Sequence, residues 1–397
     1  MPEAPANRRG MAIFLLLSMV VLGVFPLDVV LPSFPALAEY YQRTPSDIAL
    51  SVSLFAIGIS ISQLLIGPLS DKLGRKSLLL TGMAMSIVGA AGCVLSTHYL
   101  GFLLFRCVQA VGCGCFVLSQ ALVQDLFTGK KRDSLRILMV TASGLAISLS
   151  PLAGTLLQET FDWPGSFWLF IALASGVWII AWHQLTEHPA PAQPSQSLLG
   201  AYAIVCRSPM FISYWLIAAL AFACHFSFIV VSPLLFLEQL QLTSYRYSLI
   251  LLLYGAAYVS GGLMAHLLAR RISANSQIIV GLLLILVAGA LMLLLYRLMG
   301  LSVPSVLLPM IVCTAGITIA RPIATSRAMD VFPEWAGTAS SVGSALIFIF
   351  AGTVSALVNL IPGSLQITLA TGFVSMSVIA LGLIACICQH QRIQPAA

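Results

Sequence analysis

Residues Ile278–Leu295 read IIVGLLLILVAGALMLLL, a run without a charge, a proline or a polar side chain. About 20 such residues, wound as a helix, span the ~30 Å hydrocarbon core of a bilayer. Inside that core every backbone N–H and C=O must be satisfied without water, which leaves helices and closed barrels as the spanning structures. A barrel strand alternates apolar and polar positions. This run is solid, so it reads as a transmembrane helix. Eleven further apolar blocks of similar length flank it. The twelve approximate limits are 11–35, 48–69, 77–96, 100–122, 137–157, 166–185, 209–236, 247–269, 276–298, 303–323, 338–361 and 366–388. The whole chain agrees: hydrophobic residues make up 59% and charged residues 8% of its 397 positions, against roughly 25% charged in a soluble domain. That composition excludes a soluble enzyme, and it excludes disorder, which needs low hydrophobicity and high charge.

One stretch breaks the pattern. Thr186–Ser197 reads TEHPAPAQPSQS, rich in Pro, Ser and polar groups, the composition of a linker. It divides the chain into an N-terminal six-helix bundle (1–186), a cytoplasmic linker (187–207) and a C-terminal six-helix bundle (208–397). The expected fold is an all-α polytopic membrane protein, twelve transmembrane helices in two pseudo-symmetric six-helix bundles. Many secondary transporters are built from such halves, with the substrate site between them at mid-membrane. With the N-terminus inside, the inner segments carry fifteen Lys and Arg, among them Arg8, Arg9, Arg75 and Arg321, and the outer loops carry Arg43, Arg246 and Arg297. The positive-inside rule therefore puts both termini in the cytoplasm. It also explains the net charge of +6 as topology, so no nucleic-acid partner is expected. Arg8 and Arg9 before an apolar run resemble the start of a signal peptide, but the run to Leu31 is long and more spans follow, so it reads as a retained first span. The nine cysteines lie almost wholly in apolar runs without a CxxC pair and read as small buried hydrophobes, with no metal expected.

Few polar groups interrupt the spans. Asp28 alone among the acids falls well inside an apolar run, in Val24-Phe-Pro-Leu-Asp28-Val-Val-Leu-Pro32. A carboxylate there costs several kcal/mol unless protonated, paired or facing water. Burial favours its protonated form and a nearby cation its ionised form, so a group balanced between the two can gain and lose a proton in a transport cycle. The bland alternative is a cap on a helix broken near Pro26 and Pro32. Arg106 is the matching oddity, with Gln109 one turn on and on the same face. It stays charged and needs an acceptor or a wet cavity. It can neutralise Asp28, hold a water network, meet an anionic substrate, or snorkel to the outer surface. After span two comes Gly67-Pro-Leu-Ser-Asp71-Lys-Leu-Gly74-Arg75-Lys76. The glycines permit tight turns, Asp71 is placed where a helix start welcomes an anion, and Arg75 has a second candidate partner in Asp125 at the inner end of span four. Together these read as a charge latch holding one conformation closed.

That segment resembles the signature loop of the major facilitator superfamily, G-x-L-x-D-x-x-G-R-[RK]. Arg106, Gln109 and Gly112 match its span-four motif. Gly144-Leu-Ala-Ile-Ser-Leu-Ser-Pro151-Leu-Ala-Gly154 is similar to the span-five motif of proton-driven exporters, g-x-x-x-G-P-x-x-G-G, with Ser150 and Ala153 replacing two glycines by other small residues. Leu27-Asp28-Val-Val-Leu31-Pro32-Ser-Phe-Pro35 resembles the L-D-x-Y-L-P-x-x-P of the Bcr/CflA group (bicyclomycin and chloramphenicol resistance), with Val30 for Tyr, and Phe332-Pro333 with Ala336–Ser340 resembles that group's F-P-x-x-A-G-x-A-S. The resemblance covers nearly the whole chain. It implies alternating access in a bacterial inner membrane by a monomer without a cofactor, its partners being the lipid bilayer, protons and a small-molecule substrate. It implies proton coupling by Asp28 with Arg106, a conformational latch of Gly67, Asp71, Gly74, Arg75 and Asp125, and close helix packing at Gly144, Pro151 and Gly154.

A central cavity would be lined by spans one, four, seven and ten, with Gln109, Cys113, Phe222, His225 and Phe226 as its candidates. The aromatic wall suits a lipophilic or planar ligand, and the same rings serve equally as core or lipid-facing side chains. Arg321 is either a topology anchor at the inner end of span ten or a partner for Asp330. With no P-loop, ATP is not the expected energy source. The expectation is a proton-coupled exporter of small hydrophobic compounds such as drugs. The alternative is a carrier of one metabolite (a siderophore or precursor, a sugar, a peptide), with import open. A membrane enzyme would need clustered catalytic groups at one depth, and neither HExxH nor GxSxG occurs.

Overall fold

The computed structural model describes residues 6–127, 129–185, 198–269, 271–332 and 336–393. Among these the ordered elements are helices. Eleven are long and apolar enough to cross a membrane. The remaining expected span, 137–157, falls in a 33-residue helix, Gly129–Phe161, which at ~1.5 Å per residue is longer than the hydrocarbon is thick. The helices pack as two units, Met1–Thr44 with Gly58–Pro194, and Pro45–Ile57 with Ser195–Ala397.

The first unit contains α1 (Ala6–Asp28), α2 (Phe34–Tyr41), the Gly58 end of α3 (Pro45–Leu73), α4 (Arg75–Leu95), α5 (Tyr99–Cys113), α6 (Leu118–Leu126), α7 (Gly129–Phe161) and α8 (Pro164–Gln184). Two expected spans are each split by a turn. The first breaks after Asp28 and passes through a 3₁₀ turn at Leu31–Ser33, where Pro32 removes a backbone donor. The fourth breaks at Cys113 and passes through Gly114–Val117. There the Ser62 hydroxyl donates to the Val111 carbonyl at 2.5 Å, a side-chain bond that competes with the helical ladder. The expected loop after span two is instead helical as far as Leu73, so Asp71 lies in the last turn of α3 and not at a helix start. The chain turns at one residue, Gly74, with φ +88°, a conformation that suits glycine because it has no Cβ.

The second unit contains α9 (Leu198–Cys206), α10 (Pro209–Pro233), α11 (Ser244–Ala269), α12 (Ala274–Met299), α13 (Val303–Val331), α14 (Ala336–Leu360) and α15 (Leu365–Ile393). α9 forms a helix within the stretch expected to be linker, while Thr186–Ser197 lies outside the described residues. α10 is the central helix, continuously buried from Ala223 to Pro233, which accounts for its apolar residues on every side. The Pro45–Ile57 stretch of α3 packs in this unit: the Ser53 and Ser355 hydroxyls hydrogen-bond, and Asn359 Nδ2 donates to the Ser46 carbonyl at 2.6 Å.

Candidate functional site

In the first unit the site rests on a seam of small residues. A Cβ on Gly89 would meet the Gln109 backbone nitrogen at 2.4 Å, and one on Gly112 would meet the Ser86 backbone nitrogen at 2.3 Å. α4 and α5 therefore touch backbone to backbone, as helices do where small residues line their interface. That seam fixes the turn of α5 that carries Arg106 and Gln109, both 1% exposed. Arg106 does not snorkel outward. Its Nη1 donates to Gln109 Oε1 at 2.9 Å and its Nη2 to the Pro26 carbonyl at 3.2 Å. Its guanidinium also lies 5.7 Å from the centroid of Phe167. The Pro26 carbonyl sits in the last turn of α1, two residues before Asp28, so Arg106 ties α5 to the segment carrying the acid. These donors go to an amide and a carbonyl and not to the Asp28 carboxylate. Asp28 is itself buried, 6% exposed, at the end of α1. Beside Arg106, Gln109 and Pro26 lies a void of about 10 Å³, the room of one water molecule.

α7 meets this segment from another side. A Cβ on Gly154 would fall 2.1 Å from the Val29 carbonyl oxygen, so only glycine lets the two backbones approach. Pro151 lies inside α7, and the Thr155 hydroxyl donates to its carbonyl at 3.1 Å. Gly144 lies on the same helix. Of the latch residues, Gly74 and Arg75 are described, Arg75 opening α4. The side chains of Asp71 and Asp125, and the surroundings of Gly67 and Gly144, lie outside the described residues. Cys113 is buried, 2% exposed, at the end of α5.

In the second unit the aromatic residues of α10 divide. Phe228 is core, packed on Phe236 and Tyr254. His225 is buried; its Nδ1 hydrogen-bonds the Tyr254 hydroxyl and its ring stacks on the Tyr254 ring. Phe222 lies 5.6 Å from His225, 6.0 Å from Phe226 and 5.6 Å from Phe348. It is half-buried, and its open face meets a group the sequence had put elsewhere: Arg321 Cζ stands 4.4 Å from the Phe222 centroid. Asp330 is taken by Arg327, at 3.8 Å on the same exposed face of α13, so the expected Arg321–Asp330 pair is not formed. Arg321 itself lies ten residues before the end of α13. Phe211 and Phe332 are in contact, which levels the Pro209 end of α10 with the Val331 end of α13. Phe222 lies eleven residues along α10 from Phe211 and Arg321 eleven residues back from Phe332. Both are about 16 Å from that end, so they lie level with each other. Tyr254 and Tyr258, the second of which tilts against His225 at 5.8 Å, went unnoticed in the sequence because an aromatic in an apolar helix reads as ordinary core.

Comparison with known proteins agrees with this architecture. The family model described as Major Facilitator Superfamily matches residues 11–356. The chain is 27% identical over 336 residues to "Multidrug resistance protein MdtL" of Shewanella oneidensis, covering 83% of this chain and 84% of that protein. It is 27% identical over 372 residues to "Chloramphenicol resistance protein" of Pseudomonas aeruginosa, covering 91% and 87%. Among solved structures, a D-xylose-proton symporter superposes with a TM-score of 0.75 at 17% identity, over 94% of this chain and 96% of that one. The chain is a multi-pass membrane transporter and belongs to the major facilitator superfamily.

Proposed function

We propose that this protein is a proton-coupled antiporter that exports small, largely hydrophobic compounds, drugs among them, across a bacterial inner membrane. The observation that carries the reading is Asp28, a carboxylate buried at the broken end of a membrane-spanning helix. A buried acid in a span is retained at a cost of several kcal/mol and marks a proton or substrate path. The Arg106 donors are directed to Gln109 and the Pro26 carbonyl, so the carboxylate is not locked into an ion pair with that cation. It keeps both protonation states within reach while Arg106 holds the segment in place. The relatives named for drug and chloramphenicol resistance, aligned over most of the chain, support export and the substrate class.

In this reading the halves 1–186 and 208–397 alternate about the linker, with both termini cytoplasmic and the protein acting as a monomer. Asp71, Arg75 and Asp125, with Gly67 and Gly74, form the latch. The close approach of α7 to the Val29 carbonyl at Gly154 supports a packing role for that residue, and Gly144 and Pro151 share it in this reading.

The test uses bacteria stripped of their main efflux pumps, expressing wild type or Asp28→Asn at equal levels. Chloramphenicol accumulation is recorded with and without a protonophore. Wild type lowers accumulation, the protonophore abolishes the effect, and the near-isosteric Asp28→Asn variant is inactive though inserted normally. Export that persists in Asp28→Asn and still collapses with the protonophore removes Asp28 from the coupling step. No effect of wild type on a broad panel of antibiotics and dyes replaces the drug reading with a carrier of one metabolite.

A further inference from the structure

Arg321 is a cation within the candidate span Val303–Val331 that the transport reading above does not use. Acids in the second unit are few. Asp47 opens α3, Glu238 lies beyond the far end of α10 and Asp330 is held by Arg327, so among the described residues no carboxylate faces Arg321. An arginine within a span stays charged and belongs to a bundle interior or a water-filled path, not to lipid. Its Cζ stands 4.4 Å from the Phe222 centroid, a cation–π contact. A contact with a ring leaves the N–H donors of the guanidinium fork to match the two oxygens of a carboxylate. Phe222 is braced from behind by His225, Phe226 and Phe348, and His225 is in turn held by Tyr254. Phe222 is therefore held in place before any ligand arrives, and the neighbouring rings offer an apolar wall beside Arg321.

We propose that Arg321, set against Phe222, is a substrate subsite of the second unit that takes the anionic group of a planar aromatic compound, an aryl carboxylate being the simplest case. This deepens the transporter reading by naming a substrate class and rests on it only for the word substrate.

The test is equilibrium binding to the purified full-length protein in detergent, without a gradient. Salicylate serves as the anionic probe, chloramphenicol as the neutral one and tetraphenylphosphonium as the cationic one. Wild type binds salicylate saturably. Arg321→Gln weakens salicylate by about tenfold or more, leaves chloramphenicol within about twofold, and does not weaken tetraphenylphosphonium. Where Arg321→Gln is not monodisperse, Arg321→Lys carries the test. It keeps the charge but loses the fork, and salicylate must weaken several-fold with chloramphenicol unchanged. Absence of saturable salicylate binding to wild type overturns the proposal, and so does an equal loss of all three probes. The outcome is separable from the export test. Arg321-dependent salicylate binding in a protein whose cells show no protonophore-sensitive efflux keeps the subsite and removes the exporter. Proton-driven chloramphenicol efflux without salicylate binding does the reverse.

Discussion

Gly89→Ala should destabilise the protein although alanine is the better helix former. The added Cβ would fall 2.4 Å from the Gln109 backbone nitrogen and 2.6 Å from its Cα, where ordinary contact begins near 3.4 Å. Both obstacles are backbone, so no side-chain rotation relieves them, and α4 must retreat from α5 by about 1 Å. A gap of ~0.5–1 Å forfeits a quarter to a half of each dispersion contact. The loss spreads along the seam, where Gly92 meets the Phe105 ring and Gly112 meets Ser86 in the same way. Overpacking of this kind costs about 1–3 kcal/mol, and the repulsion from two backbone atoms places it at the upper end. The gain in helix propensity offsets at most about 1 kcal/mol. The expected net loss is about 2 kcal/mol, a fall in Tm of about 4–8 °C for a unit of this size. The assay is thermal unfolding in detergent followed by tryptophan fluorescence. Gly176→Ala is the control, because nothing lies within 4 Å of its Cβ position; it should melt at or slightly above wild type. Transport should fall too, since the displaced backbone atoms belong to Gln109, the acceptor for Arg106, and misplacing a positioning group by about 1 Å can cost 10²-fold. A Gly89→Ala protein that melts no lower than Gly176→Ala would refute the claim that this seam sets the geometry of the site.

Three further outcomes follow from local geometry. Gly74→Ala forces a side chain onto a backbone at φ +88° and should cost about 1–3 kcal/mol, seen as a lower Tm. Tyr254→Phe strips the buried His225 of its hydroxyl partner and should cost about 1–3 kcal/mol, whereas the double variant with His225→Leu should recover part of that loss, because removing both partners leaves no orphaned group. Ser53→Ala and Ser355→Ala break one and the same hydrogen bond, so their double variant should lose less than the sum of the two. The coupling should be about 0.5–1.5 kcal/mol in a thermal-unfolding cycle, and strict additivity counts against the contact.

The sequence was legible where one physical rule dominates. Hydropathy located the spans because each must satisfy its own backbone in hydrocarbon, and no local preference competes with that demand. The breaks inside two spans were harder. Pro26 and Pro32 announce the first. The second, after Cys113, comes from a serine on α3 donating to the Val111 carbonyl, and nothing near Cys113 in the chain records a partner 49 residues away. The signature segment misled in the opposite way: its glycines read as a loop, yet the helix runs on to Leu73 and one positive φ at Gly74 makes the whole turn.

The two intramembrane arginines show why half of the candidate site was readable and half was not. Arg106 interrupts an apolar run with Gln109 one turn away, so its burial and its nearest acceptor could both be inferred from helical spacing. Arg321 lies towards the end of an apolar run, where a basic side chain reads as one that reaches for water. α13 continues ten residues beyond it to Val331, so the helix outlasts the apolar run. The neighbour Arg321 meets is Phe222 of α10, and no spacing within α13 records a partner 99 residues away in the chain. Hydropathy says where an apolar run ends, and nothing of which side chain a neighbouring helix brings to the last cation of that run. In this chain the neighbour is an aromatic ring, and the anionic subsite proposed above is argued from the contact of α10 with α13 and not from the composition of either.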